Sequence, residues 1–508
     1  MRSRNLIGSL LFAACTIIWA GRSDAQEQNQ TLTVHWDHVV RVSKTTPTLQ
    51  VVVNPRLRRT SSIHDNVFRA LHDLQADYVR YAVWFPYPRL AIAELEPPKN
   101  GKTSWDFSLM DPITLDFLDA TKGHPGIMSF STSPQWMYKT EKPVAYPDDP
   151  DQAIWDYEQG TEFRDPTMKE VGEYYARLFS WYTKGGFADE YGQRHESRYH
   201  SSMPIWEVGN EIDWEHTTSP ETYTKLYDQI VESIRRVDPN TKFVGLALAR
   251  PGLNSRYFEY FLNHKNHKPG IPLDWISYHF YAETVAGESP EVQQFTFFDQ
   301  ADGFLNVVRY IELVRQRLSP GTKTTADEIG SMGADGIGMV DPGETLKPYP
   351  NSYWNLSGAL YAYVFAEMTR LGIDVVGESQ LVGYPGQFPS VSMVDWNTGK
   401  PNARYWVLKL LKDNFGPGDR IAEVPSPPPP PETNPSYSTL AVVKANGTRR
   451  VLIVNKRDRE LSLTIPGAGG GHLEFVDQAT AFDPPTLLKI NSDKITVRGF
   501  GVAVVRLP

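Results

Sequence analysis

The segment Pro204-Ile205-Trp206-Glu207-Val208-Gly209-Asn210-Glu211 joins a short apolar run to a polar end. A helical pattern follows it, because Ser219-Pro220 is a capping residue followed by proline, which is favoured at the first position of a helix. Apolar side chains then recur at three- and four-residue spacing, at Tyr223, Leu226, Ile230 and Ile234. This spacing predicts a helix with one apolar face, so the region is a strand followed by a helix that packs on it.

The same alternation of strand and helix extends in both directions along the chain. Between residues 49 and 415 there are eight apolar strand patterns with helical patterns between them. They are Leu49–Val53, Tyr78–Val83, Gly126–Ser131, Pro204–Val208, Lys242–Leu246, Trp275–Tyr281, Lys323–Asp327 and Ile373–Val376. These units predict an α/β protein with a (β/α)8 TIM barrel at 49–415. A doubly wound open sheet is the alternative, and it is disfavoured because no glycine-rich phosphate turn follows the first strand.

Residues 1–25 have the pattern of a secretory signal peptide. Arg2 and Arg4 precede the apolar run Leu6–Ala20, and small residues end the segment at Ala25. The run is shorter than the roughly 20 residues that span a bilayer, which disfavours a membrane anchor. We therefore expect a secreted protein, extracellular or periplasmic, with no membrane contact after signal cleavage.

The chain changes character again after the predicted barrel. Segment 416–435 is predicted to be a linker, since seven of the eleven residues from Pro425 to Pro435 are proline. Residues 436–508 contain short β-branched runs separated by Gly, Asn, Asp and Pro, which predict a C-terminal β-sandwich. The N-terminal segment 26–48 carries a strand-like run, Leu32–Val42, which we expect to pair with this sandwich.

Composition excludes several kinds of chemistry. The 508 residues include one cysteine, Cys15, and it lies inside the predicted signal peptide, so thiol catalysis and cysteine-ligated metals are excluded from the mature protein. The net charge of −9 is opposite to that of a nucleic-acid binder. The pair Glu215-His216 and the histidines His264 and His267 lack convergent ligand partners, so the sequence predicts no metal and no cofactor. It makes no prediction of an oligomeric state.

Two glutamates stand at the ends of predicted strands. Glu211 follows the fourth strand and Glu328 follows the seventh. Because a TIM barrel carries its active site at the carboxyl ends of its strands, the two side chains are expected to face each other across one pocket. Cleavage of a glycosidic bond needs such a pair, since one carboxylic acid protonates the leaving oxygen and a second carboxylate attacks or stabilises the anomeric carbon.

The motifs around these glutamates resemble those of the clan A retaining glycoside hydrolases, and most closely family 39, which includes β-xylosidases and α-L-iduronidases. The resemblance rests on the segment 206–211 together with Glu328, and on supporting motifs at 79–81, 133–137, 279–281 and 395–401. It implies that Glu211 is the acid/base, that Glu328 is the nucleophile, and that Asn210 bonds the sugar 2-hydroxyl. Families 51 and 79 share this layout.

Further polar and aromatic residues are candidates for the same pocket. Arg80 and Tyr281 are expected to donate hydrogen bonds to Glu328, because strand alternation turns Ser277, His279 and Tyr281 in one direction. His279 is either a site residue or a core histidine. Trp136 is a candidate for stacking on a sugar ring, as are Trp84 and Trp396, although packing is the commoner role of tryptophan.

The sequence contains further charged residues in and after the predicted strands. Glu207 lies deep in the fourth strand, where an unpaired charge is costly, and a bulge near Gly209 would make its direction unpredictable. Strand alternation predicts that Asp327 points away from Glu328, and Glu378 is an alternative carboxylate. The basic loop Arg56-Leu57-Arg58-Arg59 is expected to be solvated, with recognition of a uronic acid as the alternative.

These observations predict a secreted retaining glycoside hydrolase with a carbohydrate substrate, acting by double displacement. We expect exo action on plant or microbial polysaccharide or oligosaccharide, in the manner of a β-xylosidase. The alternatives are a uronic-acid-specific glycosidase, similar to α-L-iduronidase or β-glucuronidase, and an inactive carbohydrate-binding barrel, since fold alone does not establish function.

Overall fold

The computed structural model describes residues 30–140, 146–155, 160–285, 288–333, 348–425 and 435–508. The predicted signal peptide lies outside these residues, as does the proline-rich centre of the predicted linker. Within the described ranges, the helices are α1 (His64–Leu74), α2 (Pro88–Ala91), α3 (Met110–Ala120), α4 (Lys169–Thr183), α5 (Pro220–Val237), α6 (Arg256–Phe261), α7 (Pro290–Leu318), α8 (Asn351–Leu371) and α9 (Ala403–Asn414).

Strands of the described residues form a barrel, two facing sheets and a small hairpin. In chain order they are β1 (Gln30–Thr31), β2 (His35–Val42), β3 (Thr46–Val52), β4 (Arg80–Val83), β5 (Ile127–Phe130), β6 (Gly186–Ala188), β7 (Arg194–Glu196), β8 (Ile205–Glu207), β9 (Lys242–Leu248), β10 (Trp275–Glu283), β11 (Lys323–Met332), β12 (Val375–Glu378), β13 (Arg420–Glu423), β14 (Tyr437–Val443), β15 (Arg449–Asn455), β16 (Leu461–Thr464), β17 (His472–Val476), β18 (Thr486–Lys489), β19 (Lys494–Val497) and β20 (Val502–Arg506).

The predicted (β/α)8 barrel is confirmed. Strands β3, β4, β5, β8, β9, β10, β11 and β12 close into a parallel barrel in chain order. Helix α5 begins where the sequence predicts, because the Ser219 hydroxyl accepts the backbone N–H of Thr222 and Pro220 occupies the first turn. Tyr223, Ile230 and Ile234 are buried on its inner face.

The barrel interior has an apolar floor below a polar upper half. An apolar cluster at the amino ends of the strands contains Ile127, Ile205, Val244, Trp275 and Val375. Above it, buried polar side chains come from several strands, among them Gln50, Arg80, Ser129, Glu207 and Ser277. Burial of so many polar groups requires mutual hydrogen bonds, so this half of the barrel is where a site is expected.

The C-terminal β-sandwich is also present. The larger sheet has the strand order β18-β17-β20-β15-β14-β13-β2, and the smaller has the order β1-β16-β19. One face of the larger sheet packs on the smaller sheet through a shared apolar cluster that includes Ala441, Val451 and Leu463. Its other face, with Leu440, Leu452 and Val504, joins the core of the barrel domain.

Two segments that flank the barrel belong to these sheets. Strand β2 pairs with β13 at the edge of the larger sheet, and β1 pairs with β16 of the smaller one. Strand β13 lies inside the segment 416–435 predicted to be a linker, so the prediction is wrong for these four residues. The reason is burial, since Ile421 and Ala422 are almost fully covered within the sheet. In the described part of the chain, no helix combines the length and apolar character needed to cross a membrane.

Candidate active site

Arg80 lies at the centre of the polar half of the barrel. Its guanidinium is fully buried and donates from Nε to Glu207 at 2.5 Å and from Nη1 to Glu328 at 2.5 Å. It also donates from Nη1 to Gln50 at 2.7 Å and from Nη2 to Asn210 at 2.6 Å. Burial works to lower the pKa of Arg80, but the surrounding carboxylates Glu207, Asp327 and Glu328 hold it above its ordinary value. The side chain is therefore a permanent cation that fixes two glutamates and two amides at once.

Glu328 receives a second hydrogen bond through a chain of neutral groups. The Tyr281 hydroxyl lies 2.7 Å from Glu328 Oε2 and 2.6 Å from Ser379 Oγ. The Gln50 amide donates to Ser379 Oγ at 2.7 Å, and the Tyr281 hydroxyl, which has a single proton and both Ser379 Oγ and Glu328 Oε2 within reach, donates it to the carboxylate because that is the stronger acceptor. Two donors, one of them charged, thus hold the Glu328 side chain in place.

Glu211 sits in a tight turn beyond the end of β8. Gly209 has φ 76° and Glu211 has φ 40°, both in the left-handed region that non-glycine residues seldom adopt. The Glu211 backbone N–H donates to the carbonyl of Ala247 at 2.8 Å, which ties the turn to the neighbouring strand β9. A strained backbone of this kind costs about 1–3 kcal/mol and is concentrated at functional sites.

His279 connects the two glutamates. Its Nδ1 lies 3.0 Å from Glu211 Oε1 and 3.7 Å from Glu328 Oε2. One ligating atom from each of Glu211, His279 and Glu328 lies within 4.8 Å of the other two. Burial works to lower the pKa of His279, but Glu328, Asp327 and Glu211 outweigh it and raise the pKa well above its ordinary value. Although the three atoms could hold a metal ion, a protonated imidazole already supplies a positive charge between the carboxylates.

The two glutamates occupy different surroundings. Burial raises the pKa of Glu211, His279 opposes this by donating to it, and the charge of Glu328 adds to the rise. Glu328 instead accepts bonds from Arg80 and Tyr281. The arrangement therefore keeps Glu211 protonated to a higher pH, whereas Glu328 is held between two hydrogen-bond donors.

The Asp327 carboxylate lies inside the barrel, close to Arg80 and His279. The prediction that Asp327 points away from Glu328 is therefore wrong. Thr325 and Glu328 of β11 pair with Ser277 and His279 of β10. Two residues lie between the pairing positions in β11 but only one in β10, so the pairing contains a bulge. As a result Asp327 Oδ2 lies 3.6 Å from Arg80 Nε, and its Oδ1 lies 3.4 Å from His279 Nε2. Burial raises the pKa of Asp327, but Arg80 and His279 outweigh it, and the net effect is a lowered pKa.

Glu207 is paired rather than isolated in the strand. Besides Arg80, it accepts a hydrogen bond from the Ser277 hydroxyl at 2.7 Å. Burial raises its pKa in spite of the Arg80 charge, and the neighbouring Asp327 adds to the rise. Arg80 and His279, the two groups that can be cationic, thus have four carboxyl groups around them: Glu207, Glu211, Asp327 and Glu328. Because carboxyl groups outnumber cations, protons are favoured on Glu207 and Glu211 in the resting site.

Glu215 is a third glutamate at the mouth of the barrel. Its Oε1 accepts the Trp84 indole N–H at 2.6 Å and the Asn210 amide at 2.8 Å. Trp84 belongs to a group of half-buried or buried rings with Phe85, Trp155 and Phe388, whose centroids lie 5.0 to 5.8 Å from the Trp84 ring. Flat apolar faces beside carboxylates are suited to binding sugar rings.

Several predicted residues lie apart from this cluster. Trp136 donates its indole N–H to the Glu94 carbonyl at 2.9 Å, and the Arg164 guanidinium covers its ring at 4.4 Å. Trp396 packs against the barrel core. Glu378 is fully buried in an ion pair with Arg404 at 2.9 Å.

Arginines of the basic loop 56–59 form ion pairs and a ring contact with other residues of the protein. Arg58 pairs with Asp151, and Arg59 pairs with Asp116 at 2.7 Å. Arg56 lies over the Tyr384 ring at 5.1 Å. Two of its three arginines are thus bound to carboxylates of the protein itself.

Sequence reasoning missed three residues of the site. Gln50 had a signal, because it is a polar residue in the otherwise apolar run Leu49–Val53. Ser379 lies just after β12, and only the closure of the barrel brings it to Tyr281. Glu215 lies beyond the end of β8 in the turn that also carries Asn210, and nothing in its local sequence distinguishes it from a surface residue.

The barrel, the sandwich and the facing glutamates define the class as a glycoside hydrolase. A family model, "Glycosyl hydrolases family 39", matches residues 22–317, more than half of the chain, and the protein belongs to that family. A second model, "D-apionate lactonase, C-terminal immunoglobulin-like domain", matches residues 435–505, so the sandwich is similar to that domain. The predicted enzyme class, an O-glycosyl hydrolase, is confirmed. None of the curated proteins matches the sequence.

Solved structures with the same fold are glycoside hydrolases of related families. A GH51 arabinofuranosidase from Xanthomonas axonopodis pv. citri is 13% identical with a TM-score of 0.60, covering 92% of this chain and 97% of its own. A family 51 α-L-arabinofuranosidase from Bifidobacterium longum is 13% identical with a TM-score of 0.61, covering 94% and 99%. A GH30 endoxylanase from Clostridium papyrosolvens C71 is 13% identical with a TM-score of 0.55, covering 94% and 99%. At this identity the likeness establishes the fold alone.

Proposed function

We propose that the protein is a secreted retaining glycosidase in which Glu211 is the acid/base and Glu328 is the nucleophile. The observation that carries the proposal is that one carboxyl oxygen of Glu211 and one of Glu328 lie within 4.8 Å of each other across the barrel mouth. Carboxyl groups about 5–5.5 Å apart are typical of retention, whereas inversion needs about 6.5–9.5 Å to admit a water molecule. The short separation therefore supports double displacement.

In the first step a Glu328 oxygen attacks the anomeric carbon while Glu211 gives its proton to the leaving oxygen. The glycosidic bond breaks, and a covalent sugar ester forms on Glu328. In the second step Glu211, now a carboxylate, takes a proton from water, which attacks the same carbon and releases the sugar from Glu328. Arg80 and Tyr281 stabilise Glu328 each time it leaves as a carboxylate.

We propose a neutral sugar as the substrate. Arg58 and Arg59 are engaged with aspartates, which leaves them poorly suited to bind a uronic acid. Carboxylates of the protein surround the pocket, and they would repel the carboxylate of a uronic acid. The names of two structural neighbours, an α-L-arabinofuranosidase and an endoxylanase, support pentose-containing substrates. The β-xylosidase-like activity and exo action stay predictions.

The decisive experiment is labelling with 2-fluoro-glycosides followed by peptide mass spectrometry. A sugar ester on the peptide that contains Glu328 is expected, and an adduct on another residue would overturn the nucleophile assignment. The sugars are chosen from a panel of aryl xylosides, arabinosides, glucosides and uronides. Glu211→Gln should keep the adduct, because an activated leaving group needs no proton, whereas Glu328→Gln should lose it.

The remaining parts of the proposal have separate tests. Sequencing the exported protein should find Gln26 as its first residue if the signal peptide is cleaved after Ala25. Release of monosaccharide from chain ends without cleavage of internal glycosidic bonds would support exo action. Sugar binding without turnover across the whole panel would favour an inactive binding protein instead.

A further inference from the structure

The turn that carries Glu211 also fixes Glu215. The Glu215 backbone N–H donates to the Glu211 carbonyl at 2.7 Å, which closes one tight turn. The Asp213 carboxylate anchors this turn by accepting the backbone N–H groups of Ala249 at 2.9 Å and Arg250 at 3.0 Å. Glu215 is therefore held beside the reacting groups rather than in a free loop.

The contacts of Asn210 determine which way its amide faces. Arg80 has only donors, so the atom at 2.6 Å from Arg80 Nη2 is the amide oxygen. On the other side the amide nitrogen donates to Glu215 Oε1 at 2.8 Å. Both neighbours require the same orientation, and it leaves one amide hydrogen for another acceptor.

Glu215 is itself held by a second donor. The Trp84 indole N–H donates to the same Oε1 at 2.6 Å. Burial raises the pKa of Glu215 to about 8, and the neighbouring Glu211 charge adds to the rise. The group is thus largely neutral at pH 7, so it orders Asn210 without adding a full negative charge to the site.

We infer that Glu215 is a positioning residue that fixes Asn210 as a hydrogen-bond donor toward a substrate hydroxyl beside the reacting carbon. This inference rests on the proposed function. Arg80 links Asn210 to Glu328 through its two terminal nitrogens, so the free amide hydrogen lies close to where the anomeric carbon must sit. A hydroxyl on the adjacent carbon is the acceptor within reach, and the site selects sugars that carry it.

The test compares an aryl glycoside with its monodeoxy analogues, using the sugar found active in the panel. Glu215→Ala should lower kcat/KM for the parent sugar by about 10- to 100-fold, because a misplaced contact weakens transition-state binding. The loss should nearly vanish on the analogue that lacks the adjacent hydroxyl. Glu215→Gln keeps an oxygen for Trp84 and Asn210 and should recover most of the activity.

A double-variant comparison separates positioning from a general loss of structure. If Glu215 acts through Asn210, Asn210→Ala combined with Glu215→Ala should be no worse than Asn210→Ala alone. Glu221→Ala is the matched control. Glu221 is a partly exposed glutamate at the start of α5, and it pairs with Arg256 of α6. Circular dichroism and thermal unfolding check that each variant is folded.

The outcomes distinguish this inference from the proposed function. Equal losses on the parent and deoxy sugars, or additive losses in the double variant, would overturn the role of Glu215 while leaving a working glycosidase. Wild-type protein that turns over no sugar and forms no 2-fluoro-glycosyl ester would overturn the proposed function itself.

Discussion

Replacing His279 with glutamine tests the electrostatic logic of the site. The imidazole is fully buried, and its Nδ1 lies 3.0 Å from Glu211 Oε1. Because the surrounding carboxylates raise its pKa well above the ordinary value, the ring is a cation at neutral pH. His279→Gln therefore replaces a positive charge beside Glu211, the proposed acid/base, with a neutral amide of similar reach.

The size of the effect follows from Coulomb's law. Two unit charges about 4 Å apart interact by about 4 kcal/mol at an effective dielectric constant of about 20. Since about 1.36 kcal/mol corresponds to a tenfold change in a proton equilibrium, loss of the cation should favour the protonated form of Glu211. We expect the alkaline limb of kcat/KM, where the acid loses its proton, to move upward by roughly 1 to 3 pH units.

The measurement is the pH dependence of kcat/KM on an aryl glycoside whose leaving group needs protonation. His267→Gln is the matched control, because His267 is also buried and bonds the Asp228 carboxylate at 2.6 Å outside the cluster. The control should lower stability and leave the pH profile unchanged. An alkaline limb that stays in place or moves down in His279→Gln would refute the reasoning.

Three further predictions concern the barrel interior and its loops. Arg80→Met leaves Glu207 and Glu328 without their buried cation, so thermal unfolding should show a loss of about 3–5 kcal/mol, and kcat/KM should fall by at least about 100-fold. Gly209→Ala places a side chain at φ 76° and should lower the stability of the fold by about 1–3 kcal/mol, and kcat should change more than KM because Glu211 lies two residues further along the same turn. Burial raises the pKa of Glu94 to about 8, so the folded state holds this proton more tightly than the unfolded state, and its stability falls as pH rises from about 4.3 toward 8. Glu94→Gln should remove that loss, at most about 1.4 kcal/mol per pH unit, and parallel pH slopes of the unfolding midpoint in both proteins would contradict this.

The barrel could be predicted because its signals are local. Each strand is a short apolar run, and helix α5 begins with a capping residue followed by proline, Ser219-Pro220. Strand β13 shows the limit of this reasoning, because a four-residue strand beside a proline-rich segment has no distinctive local pattern. Its place is decided by pairing with β14, the next strand along the chain, and with β2, which is far away in the sequence.

Strand alternation predicted some directions in the site and failed at the bulge. Ser277, His279 and Tyr281 all face the interior of the barrel, where each bonds a carboxylate. Asp327 was placed wrongly because one extra residue in β11 interrupts the alternation between Thr325 and Glu328. A bulge depends on how two strands pair, so it leaves no mark in the sequence of either strand.

By itself the sequence determined the fold class and the two strand ends that carry glutamates, because apolar periodicity and strand order act within one segment at a time. Only the tertiary structure decided which groups surround those glutamates. The network of Arg80, Gln50, Ser379 and Tyr281 draws on four strands or strand ends, and its bonds form when the barrel closes. The different surroundings of Glu211 and Glu328 arise from burial and from charges on other strands, which is why the division of labour proposed for them is a property of the folded barrel.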